Sequence, residues 1–170
     1  MDGPAQESCR VERTYTFDPR GVGAAWHREL DGLAILERIL DGRLPMSPIA
    51  GTLDFRLVEA EKGRVVFEAR PAVFGYNLAG TMHGGYAATL LDSAMGCAVC
   101  SMVPKGRAYT TTDLSIRYIR PMTEASGLLR AEGRIINAGR RVATAEGRLY
   151  RVEDGKLCAH GTTSCLVFEA

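Results

Sequence analysis

An excess of charge of either sign is missing from this 170-residue chain: 21 lysines and arginines face 20 aspartates and glutamates, a formal net charge of +1. So balanced a surface offers no field to hold a nucleic-acid backbone or an anionic membrane, and neither is expected as a partner. A disulfide framework is missing as well. The five cysteines (Cys9, Cys97, Cys100, Cys158 and Cys165) form an odd set without framework spacing. They fit free thiols in a reducing cytosol, so a cytoplasmic location is expected. Charged residues precede any apolar run at the N-terminus, and neither a secretory signal nor a membrane anchor is visible there. Cys97-x2-Cys100 has no second pair and sits in an apolar stretch, so it reads as core packing, and no metal is expected. His27 and His160 have no partner motif nearby and read as surface or packing residues. No G-x-S-x-G segment occurs, which removes a serine nucleophile on a strand-to-helix elbow.

What is present is an ordinary globular mixture, 46% hydrophobic and 24% charged, with chain enough for one core. Residues 1–16 are polar and expected to be poorly ordered. Asp18-Pro19 then resembles an N-cap with proline at the first helical position. Trp26, Leu30, Leu33, Leu36, Ile39 and Leu40 recur near helical spacing up to Asp41-Gly42. Residues 1–44 are therefore read as an N-terminal extension with one helix, and 45–170 as the main domain. Residues 45–51 punctuate the chain, and 53–60 and 64–71 read as a hairpin around Lys62-Gly63. Four more strands are expected at 108–119, 126–137, 140–152 and 156–168, succeeding one another as an antiparallel meander. In the first of them Leu114, Ile116 and Tyr118 alternate with Asp113, Ser115 and Arg117, the pattern of a half-buried strand.

Between the strand groups, residues 84–102 are apolar or small almost all the way round, as in a helix buried on every side. The stretch is too short, and too interrupted by Asp92, to span a membrane. The expected class is α+β: an antiparallel sheet around one long central helix, with an extra N-terminal helix.

Asp92 is the one acidic or basic side chain of that helix, and an isolated buried carboxylate costs several kcal/mol unless it is partnered or serves a site. A structural aspartate bonded to a neighbouring hydroxyl is the bland reading. The loop that starts the helix favours a functional one, because Asn77 to Gly85 ends in two glycines at a helix N-terminus. Free backbone N–H groups and the helix dipole attract negative charge there, as an oxyanion hole requires. Gly84 and Asp92 lie eight residues apart, roughly 12 Å along a helix rising about 1.5 Å per residue. One copy cannot bring both to the same atom. If both act in one reaction, two such helices run antiparallel across a two-fold axis, and the chain is at least a dimer.

The segment N-x5-HGG-x6-D, here Asn77, His83, Gly84, Gly85 and Asp92, resembles the hotdog-fold acyl-CoA thioesterases of the phenylacetic-acid-degradation type, within the wider hydroxybenzoyl-CoA thioesterase superfamily. The likeness extends through most of residues 45–168, including TTTDLSIRYIRP and INAGRRVATAEGRLYR after the motif, and leaves out 1–44. It implies a hotdog fold and hydrolysis of an aryl- or fatty-acyl-CoA, with CoA entering only as part of the substrate and no separate cofactor. Asp92 inherits the role of nucleophile or general base, and Gly84 that of amide donor to the thioester oxygen. Asn77 would orient the water or carboxylate, His83 would help hold the loop and the carbonyl, and Thr111 would assist the aspartate. The family's CoA surface points to Gly85, Tyr118, Asn137, Gly139, Arg140 and Arg141, the paired arginines suiting phosphates. A homodimer or dimer of dimers with a shared site is implied. Two alternatives stand beside this reading. A hotdog module could bind acyl-CoA without turnover, although it would have little use for Asp92. A hotdog hydratase or dehydratase would need a histidine soon after the aspartate, and none follows before His160.

Overall fold

The computed structural model describes residues 10–21 and 25–170. Cys9, the first nine residues of the segment expected to be poorly ordered, and part of the expected N-terminal helix lie outside the described residues. Residues 10–18 have no regular secondary structure, but they are anchored: the Arg13 guanidinium lies 3.8 Å from the centre of the Phe74 ring.

The alternating segments become β1 (Phe55–Glu61), β2 (Arg64–Ala69), β3 (Arg107–Tyr118), β4 (Leu129–Ala138), β5 (Val142–Arg151) and β6 (Leu157–Glu169). They form one antiparallel sheet in the order β1-β2-β4-β5-β6-β3. The expected hairpin is β1–β2, turned at Gly63 with a φ of 80°. The simple meander is corrected: only β4, β5 and β6 follow one another, while β3 crosses to the far edge and pairs with β6. A strand that follows a helix lying across the sheet can return at either edge, and alternation within the strand carries no information on which.

The helices are α1 (Ala25–Glu29), α2 (Gly32–Leu40), α3 (Pro48–Leu53) and α4 (Gly84–Cys100). The single N-terminal helix is also corrected. Pro19–Gly21 is one 3-10 turn, and the chain breaks between α1 and α2 where Asp31 takes an extended conformation and caps α2, its Oδ1 accepting the Ala34 amide at 2.9 Å. The punctuating stretch forms α3 with Pro48 in its first turn, ended by Asp54 in the left-handed region.

The sheet curls around α4, whose Leu90, Leu91, Ala94, Met95 and Val99 are wholly buried against β2, β4 and β5. Two glycines let the helix nest, Gly133 on β4 and Gly147 on β5, in one register row with Gly161 on β6. A Cβ on Gly133 would lie 2.2 Å from the Ala94 carbonyl oxygen, and one on Gly147 would lie 2.7 Å from Met95 Cγ. α4 is not buried on every side in one chain. Ala88, Thr89, Asp92 and Ser93 form a partly exposed stripe along it. Nor is β3 half-buried, since it has a neighbour on one edge only and leaves Leu114, Tyr118 and the following Ile119 exposed.

Candidate active site

The chain enters α4 through a loop that shapes itself. Asn77 Oδ1 accepts the amides of Ala79 at 2.9 Å and Thr81 at 3.3 Å, and its Nδ2 donates to Thr81 Oγ1 at 3.1 Å. These bonds all close within the loop, so in one chain Asn77 builds the turn before the helix. His83 is the N-cap: its Nδ1 accepts the Gly85 amide at 2.9 Å, and its carbonyl accepts the Tyr86 amide at 3.0 Å. An accepting Nδ1 leaves the proton of the neutral ring on Nε2. The Gly84 amide has no acceptor among the described residues, and it sits at the positive end of the helix dipole. Tyr118 covers this point from β3, donating its hydroxyl to the Gly84 carbonyl at 2.9 Å. Asn77, Gly84 and Tyr118 share a recess of about 350 Å³ with Arg120.

Two turns further along, Asp92 is half-buried and accepts a hydrogen bond from Thr111 Oγ1 on its Oδ1 at 3.0 Å. A bulge in β3 aims that threonine: the β3–β6 ladder passes from Thr111 to Asp113 and skips Thr112. Asp92 Oδ2 has no donor among the described residues. The carboxylate opens on a second cavity of about 310 Å³, floored by Ser93, Gly96 and Cys97 of α4 and by Tyr109 and Thr111 of β3. Its opposite wall is Trp26 and His27 of α1, Ile35 and Leu36 of α2, and Met46.

Burial pushes the Cys97 thiol up to about 12 and raises the Tyr109 phenol well above its ordinary value. Both stay protonated near neutrality, so Cys97 is no thiolate nucleophile. Burial lowers His27, favouring its neutral form.

The predicted site residues thus fall into three groups within one chain. Asp92 and Thr111 are joined; Asn77, His83, Gly84, Gly85 and Tyr118 gather at the helix start; and Asn137, Gly139, Arg140 and Arg141 lie at the β4–β5 turn. There, Gly139 and Arg140 line a recess of about 300 Å³ with Val99 and Met102 at the other end of α4. Tyr118 belongs with the helix start and not with that turn. His27, read from sequence as a surface or packing residue, lines the Asp92 cavity. Only tertiary contact brings it there, so nothing local in the sequence marked it. Gly96 had a signal that went unread, since it lies one helical turn beyond Asp92 on the same face. Among the described residues no group of three His, Cys, Asp or Glu side chains is placed to hold a metal, and no helix is long and apolar enough to cross a membrane.

Residues 79–158 match the family model described as Thioesterase superfamily. Mouse acyl-coenzyme A thioesterase 13 is 30% identical over 105 residues, covering 62% of this chain and 74% of that protein. This chain belongs to the thioesterase superfamily. A further relative, a Halobacterium salinarum protein described as a candidate esterase, is 45% identical over 69 residues, 39% of this chain. The chain spans only 44% of that relative's length. A Ralstonia eutropha protein described as a candidate thioesterase related to phenylacetic acid degradation superposes with a TM-score of 0.69 at 28% identity, over 77% of this chain and 98% of that one. A Streptococcus mutans protein solved with acetyl-CoA bound gives a TM-score of 0.61 at 27% identity, over 68% and 89%. The sheet wrapped around α4 is the hotdog fold that these superfamily members share.

Proposed function

We propose that this chain hydrolyses the thioester of an aryl- or fatty-acyl-CoA as a homo-oligomer, with Asp92 as nucleophile or general base. The observation that carries this reading is the Thr111–Asp92 hydrogen bond beside a cavity that Asp92 itself lines, with the second carboxylate oxygen unpartnered among the described residues. In the general-base form, Asp92 takes a proton from water, the water oxygen attacks the carbonyl carbon, the C–S bond breaks, and the CoA thiolate recovers a proton. In the nucleophilic form, Asp92 itself attacks the carbonyl carbon, the C–S bond breaks and CoA leaves as the thiolate, and water then hydrolyses the mixed anhydride, restoring the Asp92 carboxylate and supplying the proton that the thiolate takes up. In both, negative charge gathers on the carbonyl oxygen, where a donor amide typically contributes about 10² to 10³ in rate.

The Gly84 amide is the donor suited to that charge, and it must come from a second copy. Along α4 it lies roughly 12 Å from the Asp92 of its own chain. Two features fit a two-fold partner: the partly exposed Ala88–Ser93 stripe of α4, and the long edge strand β3 with its exposed apolar side chains, which an isolated protein would have to protect. Dimer and dimer of dimers both satisfy this. The CoA moiety would lie outside the cavity, where Gly85, Asn137, Gly139, Arg140 and Arg141 are candidate contacts and the exposed arginines suit phosphates. That the Streptococcus mutans relative binds acetyl-CoA supports this substrate class. Residues 45–170 would be the thioesterase domain and 1–44 an extension that walls the cavity. The free Cys97, Cys100, Cys158 and Cys165 fit the cytoplasm.

The test is release of CoA from a panel of aryl- and fatty-acyl-CoA esters, read with a thiol reagent, by wild type and Asp92→Asn. Turnover that falls by orders of magnitude in the variant is expected. Acyl-CoA that binds but is never turned over would make the protein an acyl-CoA binding module instead.

A further inference from the structure

We propose that Gly96, Tyr109 and His27 bound the part of the Asp92 cavity that runs inward towards Cys100 and limit it to a compact acyl group. This rests on the thioesterase reading and adds the determinant of acyl size. On α4 the cavity is lined by Asp92, Gly96 and Cys100, spaced as one helical face, so it runs roughly 12 Å along the helix away from the carboxylate. Gly96 lets the Tyr109 phenol lie close against α4. A Cβ there would stand 3.4 Å from Tyr109 Cε2 and 3.8 Å from its hydroxyl, so the phenol ring lies directly across the space that a side chain at 96 would fill. His27 backs the phenol edge-on, with ring centres 6.2 Å apart and planes at 81°. The His27 backbone is fastened to the start of β3, its carbonyl accepting the Gly106 amide at 2.6 Å.

Beyond Cys100 the described residues leave the cavity no exit along α4. The Gly32 amide donates to the Val103 carbonyl at 2.9 Å, and a Cβ on Gly32 would lie 1.8 Å from the Cys100 carbonyl oxygen. The backbones of α2 and α4 therefore meet without a gap. A volume of about 310 Å³ is at the lower end of ligand pockets, which run from about 300 to 1,000 Å³. His27 lies outside residues 79–158, the part matched to the superfamily, so the limit on acyl size comes partly from this chain's own N-terminal segment.

The experiment measures kcat/KM for acetyl-, butyryl-, hexanoyl-, octanoyl-, lauroyl-, palmitoyl- and phenylacetyl-CoA with wild type, Gly96→Val and His27→Ala. Affinities for the same esters are measured by calorimetry in the Asp92→Asn background, where no turnover is needed. Wild type is expected to favour the compact esters and to fall at least tenfold towards palmitoyl-CoA, since one methylene that does not fit costs roughly 10- to 200-fold. Gly96→Val is expected to move the optimum to shorter groups and His27→Ala to longer ones, in both measurements. One chain-length profile shared by all three proteins, or a wild type that prefers palmitoyl-CoA, overturns the proposal while leaving the thioesterase reading in place. Absence of turnover with the expected affinity profile overturns the thioesterase reading and keeps the size limit. Absence of both turnover and binding overturns both.

Discussion

Thr111 and Tyr118 fasten one strand to two points of one helix: Thr111 donates to the Asp92 carboxylate and Tyr118 to the Gly84 carbonyl. A two-fold axis that carries Gly84 of one copy to Asp92 of the other must therefore also set Tyr118 of one β3 opposite Thr111 of its partner. Because the ladder skips Thr112, the paired positions from one to the other are 111 and 113 through 118. The middle one is Ser115. An antiparallel β3 pair centred there also keeps Thr111, Leu114, Ile116 and Tyr118 on the face towards α4, as the pleat requires.

Ser115 then faces its own copy across the axis. Directly opposed residues of antiparallel strands have Cα atoms about 4.5 or 5.5 Å apart, within the roughly 4.4–6.8 Å that a disulfide spans. Ser115→Cys is expected to oxidise to a covalent dimer on a non-reducing gel and to keep its activity, while Arg117→Cys gives little cross-linking. A protein that is dimeric by light scattering but cross-links at 117 and not at 115 has a different register, and the Gly84–Asp92 pairing would fail with it.

Much of this arrangement was legible in the sequence, for identifiable reasons. Strand and helix positions followed from alternation and from the apolar 84–102 stretch, because a buried face must repeat with the period of its backbone. The spacing from Asn77 to Asp92 was readable because a helix N-terminus and a carboxylate two turns on are local features. What stayed hidden depends on tertiary contact. The return of β3 to the far edge, the break at Asp31 between α1 and α2, and the approach of His27 to Tyr109 leave no periodic trace. The row Gly133, Gly147, Gly161 is likewise invisible until the register of three strands is known.

The Thr111 hydroxyl donates to Asp92, which the proposed reaction uses as a carboxylate, and hydrogen bonds to charged groups contribute about 1.5–3 kcal/mol. Thr111→Val keeps the shape of the side chain and removes the donor. It is expected to lower kcat roughly 10- to 100-fold with little change in KM, because the aspartate loses its orientation while the cavity stays nearly the same size. Steady-state kinetics with the preferred ester decide the matter. An unchanged kcat would mean that Thr111 only packs against Asp92.

The close approach of sheet to helix has a measurable cost of disruption. In Gly133→Ala the new methyl meets a backbone carbonyl, which moves only if α4 moves, whereas in Gly147→Ala it meets the flexible Met95 side chain. Overpacking a well-filled core costs about 1–3 kcal/mol and occasionally more. Gly133→Ala is expected at or above the top of that range and Gly147→Ala near the bottom, by urea denaturation. Equal losses at the two positions would argue against the contact between Gly133 and Ala94.

His27 links acid stability to the cavity wall. Burial lowers its pKa below the ordinary 6.5, so as the pH falls the unfolded chain takes up this proton before the folded one does. The folded state therefore binds fewer protons in the window below 6.5, and stability rises with pH there. The contribution is fully present above that window and is lost as the pH falls through it towards the folded value. His27→Leu keeps an apolar group of similar bulk against Tyr109 and removes the titration. Its melting temperature is expected to fall less than that of wild type between neutral pH and pH about 5, where imidazole of ordinary pKa is mostly protonated. Parallel curves for the two proteins would show that His27 is solvated in the folded state, and its place in the wall of the Asp92 cavity would go with that.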